Sequence, residues 1–171
     1  IDEDKNNNKQ NYVLAEEYLD RLDDIYQIPG KEKETIKLAS ILLDIKVSPE
    51  AYFYRAYAKN NINDYLGAII DYTRTIEMKP EHAIAYSNRG VAKYYLEDYE
   101  GAIFDYTKAI RILPDYGLAY YNRALAKDNL KDYEGAIFDY SKAIKYDKDN
   151  SSAFKNRGIL KENINDMDGA C

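Results

Sequence analysis

The stretch that decides the fold is Ala83–Tyr116, AIAYSNRGVAKYYLEDYEGAIFDYTKAIRILPDY, set against Gly117–Asn150, GLAYYNRALAKDNLKDYEGAIFDYSKAIKYDKDN. The two segments are each 34 residues long and identical at 20 positions. The same pattern reaches back over Pro49–His82 and forward over Ser151–Cys171, where it stops part-way. A fixed period of this size marks stacked supersecondary units, none of which buries its apolar face alone.

Numbering each unit from slot 1 to slot 34 exposes the template. Slot 4 is aromatic (Tyr52, Tyr86, Tyr120, Phe154) and slot 8 is small (Ala56, Gly90, Ala124, Gly158). Slot 16 is Asp64, Asp98, Asp132 and Asp166; slot 17 is Tyr65, Tyr99, Tyr133 and then Met167. Slot 20 is Ala68, Ala102, Ala136 and Ala170; slot 24 is Tyr72, Tyr106 and Tyr140. Slot 27 is Thr75, Ala109 and Ala143, and slot 32 is Pro80, Pro114 and then Lys148. Slots 3, 7, 10 and 14 share one face of a helix, apolar at all but slot 7, and slots 20, 24, 27 and 28 share one face of a second. Asp at slot 16 suits an N-cap, and Ser48-Pro49-Glu50 reads as N-cap, N1 proline and acidic first turn. Each unit is therefore a helix hairpin, closed up by small residues at slots 8 and 20.

These recurring residues resemble the tetratricopeptide repeat family over residues 49–171. Lys148, Thr75 and the basic residues at slots 7 and 11 depart from the family pattern. The resemblance implies an all-α fold, a right-handed α-solenoid of antiparallel helix hairpins. The units are 49–82, 83–116, 117–150 and an incomplete 151–171, in which Cys171 falls at slot 21.

The N-terminus differs. Residues 1–11, IDEDKNNNKQN, read as a disordered polar tail. Leu14, Tyr18, Leu22 and Ile25 mark an amphipathic helix, Pro29-Gly30 breaks it, and Ile36, Leu38, Ile41, Leu42 and Ile45 mark another. This pair, residues 12–47, is a degenerate repeat or an N-terminal cap, because Glu34 falls where the template wants a small residue.

Composition narrows the function. The net charge of −6 leaves no basic footprint for nucleic acid. No apolar run approaches the ~20 residues of a membrane helix. One Cys and one His, Cys171 and His82, allow neither a disulfide nor a zinc cluster, and both read as incidental. No nucleotide-binding, esterase or metalloprotease motif is present, so neither catalysis nor a cofactor is expected. Absence of a disulfide slightly favours the cytoplasm; a chain starting at Ile1 leaves an exported location open.

The resemblance implies that slots 2, 5, 6, 9, 12 and 13 line a concave groove, and helical spacing agrees. A slot-6 ladder of Asn88, Asn122 and Asn156 suits an extended peptide, because a carboxamide both donates and accepts. The same ladder is also common in the family without such a role. Of 19 tyrosines, nine fill slots 4, 17 and 24 of the complete units. Tyr54, Tyr57, Tyr94, Tyr95 and Tyr121 fall instead on the groove stripe, with Phe53. Such residues combine large contact area with a polar tip; packing between units or cover by the N-terminal pair is the competing reading. With Leu125 they complete the candidate binding set. Some family members clamp a C-terminal carboxylate with basic residues at slots 2 and 6. Here those slots hold Leu118 and Asn122, or Ser152 and Asn156, so that clamp is not expected.

Arg55, Arg89, Arg123 and Arg157 recur at slot 7 and Lys59, Lys93, Lys127 and Lys161 at slot 11. Like charges one turn apart repel unless an acid intervenes. Asp71, Asp105 and Asp139 at slot 23 are the expected bridge between the two helices; pairing with Arg74, Lys108 or Lys142 at i+3 is the alternative.

The function expected is a non-enzymatic protein–protein interaction module that binds a peptide or protein segment in the groove. The alternatives are a scaffold that self-associates through its unfinished C-terminal unit, and the interaction part of a larger enzyme or sensor.

Overall fold

The computed structural model describes residues 2–168, with side chains described for residues 10–164. The expectations for Cys171 lie outside the described residues. Among the described residues there are nine α-helices and no strand: α1 (Asp2–Ile25), α2 (Glu32–Ile45), α3 (Pro49–Asn61), α4 (Tyr65–Met78), α5 (Ala83–Tyr95), α6 (Tyr99–Ile112), α7 (Gly117–Asn129), α8 (Tyr133–Tyr146) and α9 (Ser151–Asp168). None is long and apolar enough to cross a membrane. The fold is the all-α solenoid of helix hairpins that the period implies, and the chain divides into two compact units, Ile1–Glu81 and His82–Cys171. In the first, α1, α2, α3 and α4 pack in succession, and α1 also touches α3. In the second, α5 to α9 pack in succession, and α5 also touches α7.

Each hairpin starts and turns by the same local chemistry. Ser48 Oγ accepts from the Ala51 N–H, and Asp64, Asp98 and Asp132 each accept from the N–H three residues on. That residue is Gly67, Gly101 or Gly135, and a Cβ there would overlap the capping carboxylate. This glycine requirement, visible as a recurrence at slot 19, was missed by the sequence reading. The turn ahead of each cap places Asn63, Glu97 or Lys131 in the left-handed region, with φ of 62–64°. His82 is not incidental: its Nδ1 accepts from the Ala85 N–H and caps α5. The third complete unit stops its second helix at Tyr146 without the slot-32 proline. Asn150 then caps the next helix through the Ala153 N–H.

The core is alanine and tyrosine. Ala56, Ala68, Ala102, Ala109, Ala124, Ala136 and Ala143 are fully buried, so paired helices approach closely. Tyr72, Tyr106 and Tyr140 fill the space left between them and are the largest fully buried side chains. Each removes enough surface from water to contribute roughly 4–6 kcal/mol before conformational entropy is deducted. At Gly90 the approach is closest, because a Cβ there would lie 2.8 Å from a Tyr106 ring carbon, and the ring would have to shift to admit the alanine that Ala56 and Ala124 carry at the same slot.

Opposite this apolar seam runs an ionic one. Arg55 Nε and Nη2 donate to the two Asp71 oxygens at 2.8 and 2.7 Å, and Lys59 Nζ lies 2.8 Å from the same carboxylate. Arg89, Lys93 and Asp105 repeat the arrangement, as do Arg123, Lys127 and Asp139. The three aspartates are buried. The expected bridge between the helices is therefore present, and the i+3 alternative is not: Arg74 pairs with Glu77, while Lys108 and Lys142 lie over the Phe104 and Phe138 rings. A third guanidinium nitrogen reaches the preceding helix, from Arg55 to Ser40 and Arg123 to Thr107, and Arg157 makes the same contact with Ser141, at 3.0–3.2 Å.

The termini correct the sequence reading. α1 begins at Asp2, so residues 2–11 extend the helix rather than form a disordered tail. Adding residues to an existing helix avoids the nucleation cost. In α1, Ala15 and Leu22 are buried while Leu14 is exposed. Glu34 faces Arg21 and Lys31 in surface ion pairs, so it demands no small-residue contact. α9 runs to Asp168 without the break that the other units make ahead of slot 16.

Three outcomes test this packing. Asp105→Ala strands Arg89 and Lys93 and should cost about 3–5 kcal/mol in urea denaturation. Arg74→Ala, which breaks a pair whose two side chains are both more than half exposed, should cost less than about 0.5 kcal/mol. Burial pushes the Tyr140 hydroxyl up from 10.0 to about 12, and that of Tyr106 further. The unfolded phenols ionise near pH 10, so this contribution is intact below that pH and is lost as pH rises through about 12. The urea midpoint should fall across that window, and Tyr140→Phe should flatten the fall.

Candidate functional site

The first helix of each hairpin carries one stripe toward its partner helix and another toward the neighbouring first helices. The expected binding residues lie on α3, α5, α7 and α9, and the two compact units treat them differently.

In the first unit the stripe is already covered. Tyr26, just beyond α1, sets its ring centroid 4.5 Å from Tyr54, 5.5 Å from Tyr57 and 6.3 Å from Phe53. The Tyr54 hydroxyl donates to the Asp23 carboxylate. Burial, with help from the charges of Asp20, Asp24 and Glu50, raises the Asp23 pKa. Phe53 is buried and packs edge-on against Tyr72 at 5.8 Å. It is a core residue, which corrects its placement on the groove. Tyr26 stands outside the 34-residue period, so the template gave no sign that it would fill this space.

In the second unit α5, α7 and α9 form an open stripe. Tyr94 is half-buried, edge-on to Tyr95 at 5.9 Å and to Tyr99 at 5.4 Å, and packs on Ala102, Tyr106 and Ala126. Its hydroxyl accepts from Asn129 Nδ2 at 3.0 Å, and burial raises its pKa. Tyr95 is 60% exposed. A cavity of about 70 Å³ opens beside these rings, lined by Val91, Tyr94, Tyr95, Tyr106, Asn122 and Leu125. Four expected residues, Tyr94, Tyr95, Asn122 and Leu125, thus converge on one place. Val91 and Tyr106 were not in the expected set. Tyr106 is a repeat tyrosine that also lines the cavity, and recurrence hid that second use.

The remaining expected residues lie outside this cavity. Tyr121 packs on Tyr140 at 5.8 Å. Asn156 Nδ2 donates to the Tyr140 hydroxyl at 3.4 Å, so its amide is partly committed to the fold. Asn88 is half-buried on α5. Sequence reading also passed over Phe104 and Phe138, which are more than half exposed on the second helices under Lys108 and Lys142. Their recurrence at slot 22 was the available signal.

Comparison with known proteins adds the lineage. The family model described as tetratricopeptide repeat matches residues 83–116 and 117–150. No curated protein sequence matches the chain. The TPR2B domain of yeast Sti1, solved in complex with pHsp70, is 30% identical; the match covers 66% of this chain and 91% of that one, with TM-score 0.60. MamA (41-end) from Desulfovibrio magneticus RS-1 is 21% identical over 95% of this chain and 88% of that one, with TM-score 0.75. The first TPR of Spaghetti (RPAP3), bound to the HSP90 peptide SRMEEVD, is 22% identical over 68% of this chain and 92% of that one, with TM-score 0.66. The last two speak to fold, whereas the period, the matched repeats and the Sti1 domain speak to descent. The chain belongs to the tetratricopeptide repeat family.

Proposed function

We propose that this protein is an interaction module that binds a peptide or protein segment along α5, α7 and α9. The observation that carries this reading is the cavity at Val91, Tyr94, Tyr95 and Leu125, with the Asn122 side chain at its edge. An apolar recess lined by tyrosines receives one anchoring side chain, and a carboxamide beside it meets a peptide backbone with both donor and acceptor. The complex of the related Sti1 domain with pHsp70 supports the same use of the fold. Tyr54 and Tyr57 are left out of the surface, since Tyr26 occupies the space above them. Asn88, Tyr121 and Asn156 flank the recess along the stripe and would extend the contact.

Affinity capture followed by mapping of the bound segment tests the reading. Tyr95→Ala and Leu125→Ala should each weaken capture roughly tenfold or more. Tyr57→Ala should lower stability and leave capture unchanged. Equal capture by all three variants would count against the groove.

A second reading, self-association through α9, rests on Phe154 and Ile159, which are 46% and 45% exposed. Light scattering should then show a dimer that Phe154→Asp disperses. A monomer at the highest soluble concentration removes this reading.

A further inference from the structure

One charge on the groove is out of place. Asp128 lies at slot 12 of α7, where the other units carry Asn60, Tyr94 and Glu162, so the repeat does not require it. It sits one residue from the C-terminal end of α7, where the helix dipole disfavours an anion. It is half-buried, and burial raises its carboxyl pKa. No cation pairs with it among the described residues. Of the neighbouring cations, Arg123 and Lys127 are committed to Asp139 and Lys93 to Asp105, while Lys131, three residues on, is exposed in the left-handed turn and makes no ion pair with Asp128. The other charges on this stripe, Lys155 and Glu162 of α9, are both exposed. Three penalties therefore fall on one carboxylate, and a cation supplied from outside would relieve all three.

The surroundings suit a cation as well. Leu125, one turn before Asp128 on α7, lines the aromatic recess, and the next residue, Asn129, donates to the Tyr94 hydroxyl, so Asp128 stands at the recess end of α7. Tyrosine ring faces attract ammonium and guanidinium groups, and the C-terminal carbonyls of α5 and α7 favour positive charge. The recess, about 70 Å³, suits a small apolar side chain.

We propose that the groove selects a basic segment: a peptide that pairs a lysine or arginine with Asp128 and seats a small apolar side chain in the recess at Tyr94, Tyr95 and Leu125. This rests on the groove reading above and adds the partner's chemistry to it. It sets the protein apart from relatives that hold an acidic peptide, because α5, α7 and α9 present only one lysine on the groove stripe.

Selection from a random-peptide phage library on the immobilised 171-residue chain tests this, with enriched peptides then measured by fluorescence anisotropy. Enriched sequences should place Lys or Arg near a small apolar residue. Asp128→Asn should weaken those peptides about tenfold, and Asp128→Lys should turn the preference toward acidic peptides. Affinity should fall as salt is raised. Enrichment of neutral or acidic peptides, or unchanged affinity on Asp128→Asn, overturns the basic partner; the groove reading survives that result if Leu125→Ala still abolishes binding. Binding that ignores both Leu125→Ala and Asp128→Asn, or no enrichment at all, removes both readings.

Discussion

The buried carboxylate at slot 23 is the constraint on which the rest of this structure depends. Asp71, Asp105 and Asp139 are taken out of water, and each is repaid by a bidentate arginine and a lysine from the facing helix. A buried pair of this kind adds little net stability over an apolar substitute, yet breaking it leaves a stranded charge. Its contribution is geometric. Slot 7 and slot 11 must face slot 23, which fixes both the rotation and the register of the two helices in a hairpin. Where the third guanidinium nitrogen reaches Ser40, Thr107 or Ser141, the same side chain also ties its hairpin to the helix before it.

The apolar seam follows from that registration. Alanine at slots 20 and 27 and a small residue at slot 8 bring the helix axes close, and one large ring per hairpin fills what remains. In the third complete unit the tyrosine also reaches the next first helix, where the Tyr140 hydroxyl accepts from Asn156. Thr75 shows the tolerance of the scheme. Standing where other units have alanine, it is fully buried, and its hydroxyl donates to the Asp71 and Pro49 carbonyls. The departure from the family pattern is absorbed by a local hydrogen bond.

How much of this was legible in the sequence depended on recurrence. The Arg–Asp–Lys bridge was readable because opposite charges recur together at slots 7, 11 and 23. The caps at Asp64, Asp98 and Asp132 were readable for the same reason. What recurrence could not reveal were contacts made once. Tyr26 packs on Phe53, Tyr54 and Tyr57 from outside the period, and recurrence alone could not decide between an open groove and cover by the N-terminal pair for this half of the aromatic stripe.

The useful information about function therefore lies where the repeat is broken. At slot 12 the units carry Asn60, Tyr94, Asp128 and Glu162, four chemistries at one geometric position. A position under packing constraint would have converged, as slots 20 and 24 did. Meanwhile the ionic seam draws the slot-7 and slot-11 cations of the complete units toward the second helices, leaving the groove of α5 and α7 without a positive charge. The device that registers the hairpins thus also sets the groove's electrostatics: an aromatic floor, carboxamide edges and one half-buried carboxylate. A partner of the proposed groove would meet a surface on α5 and α7 whose slot-7 and slot-11 cations are already drawn toward the second helices.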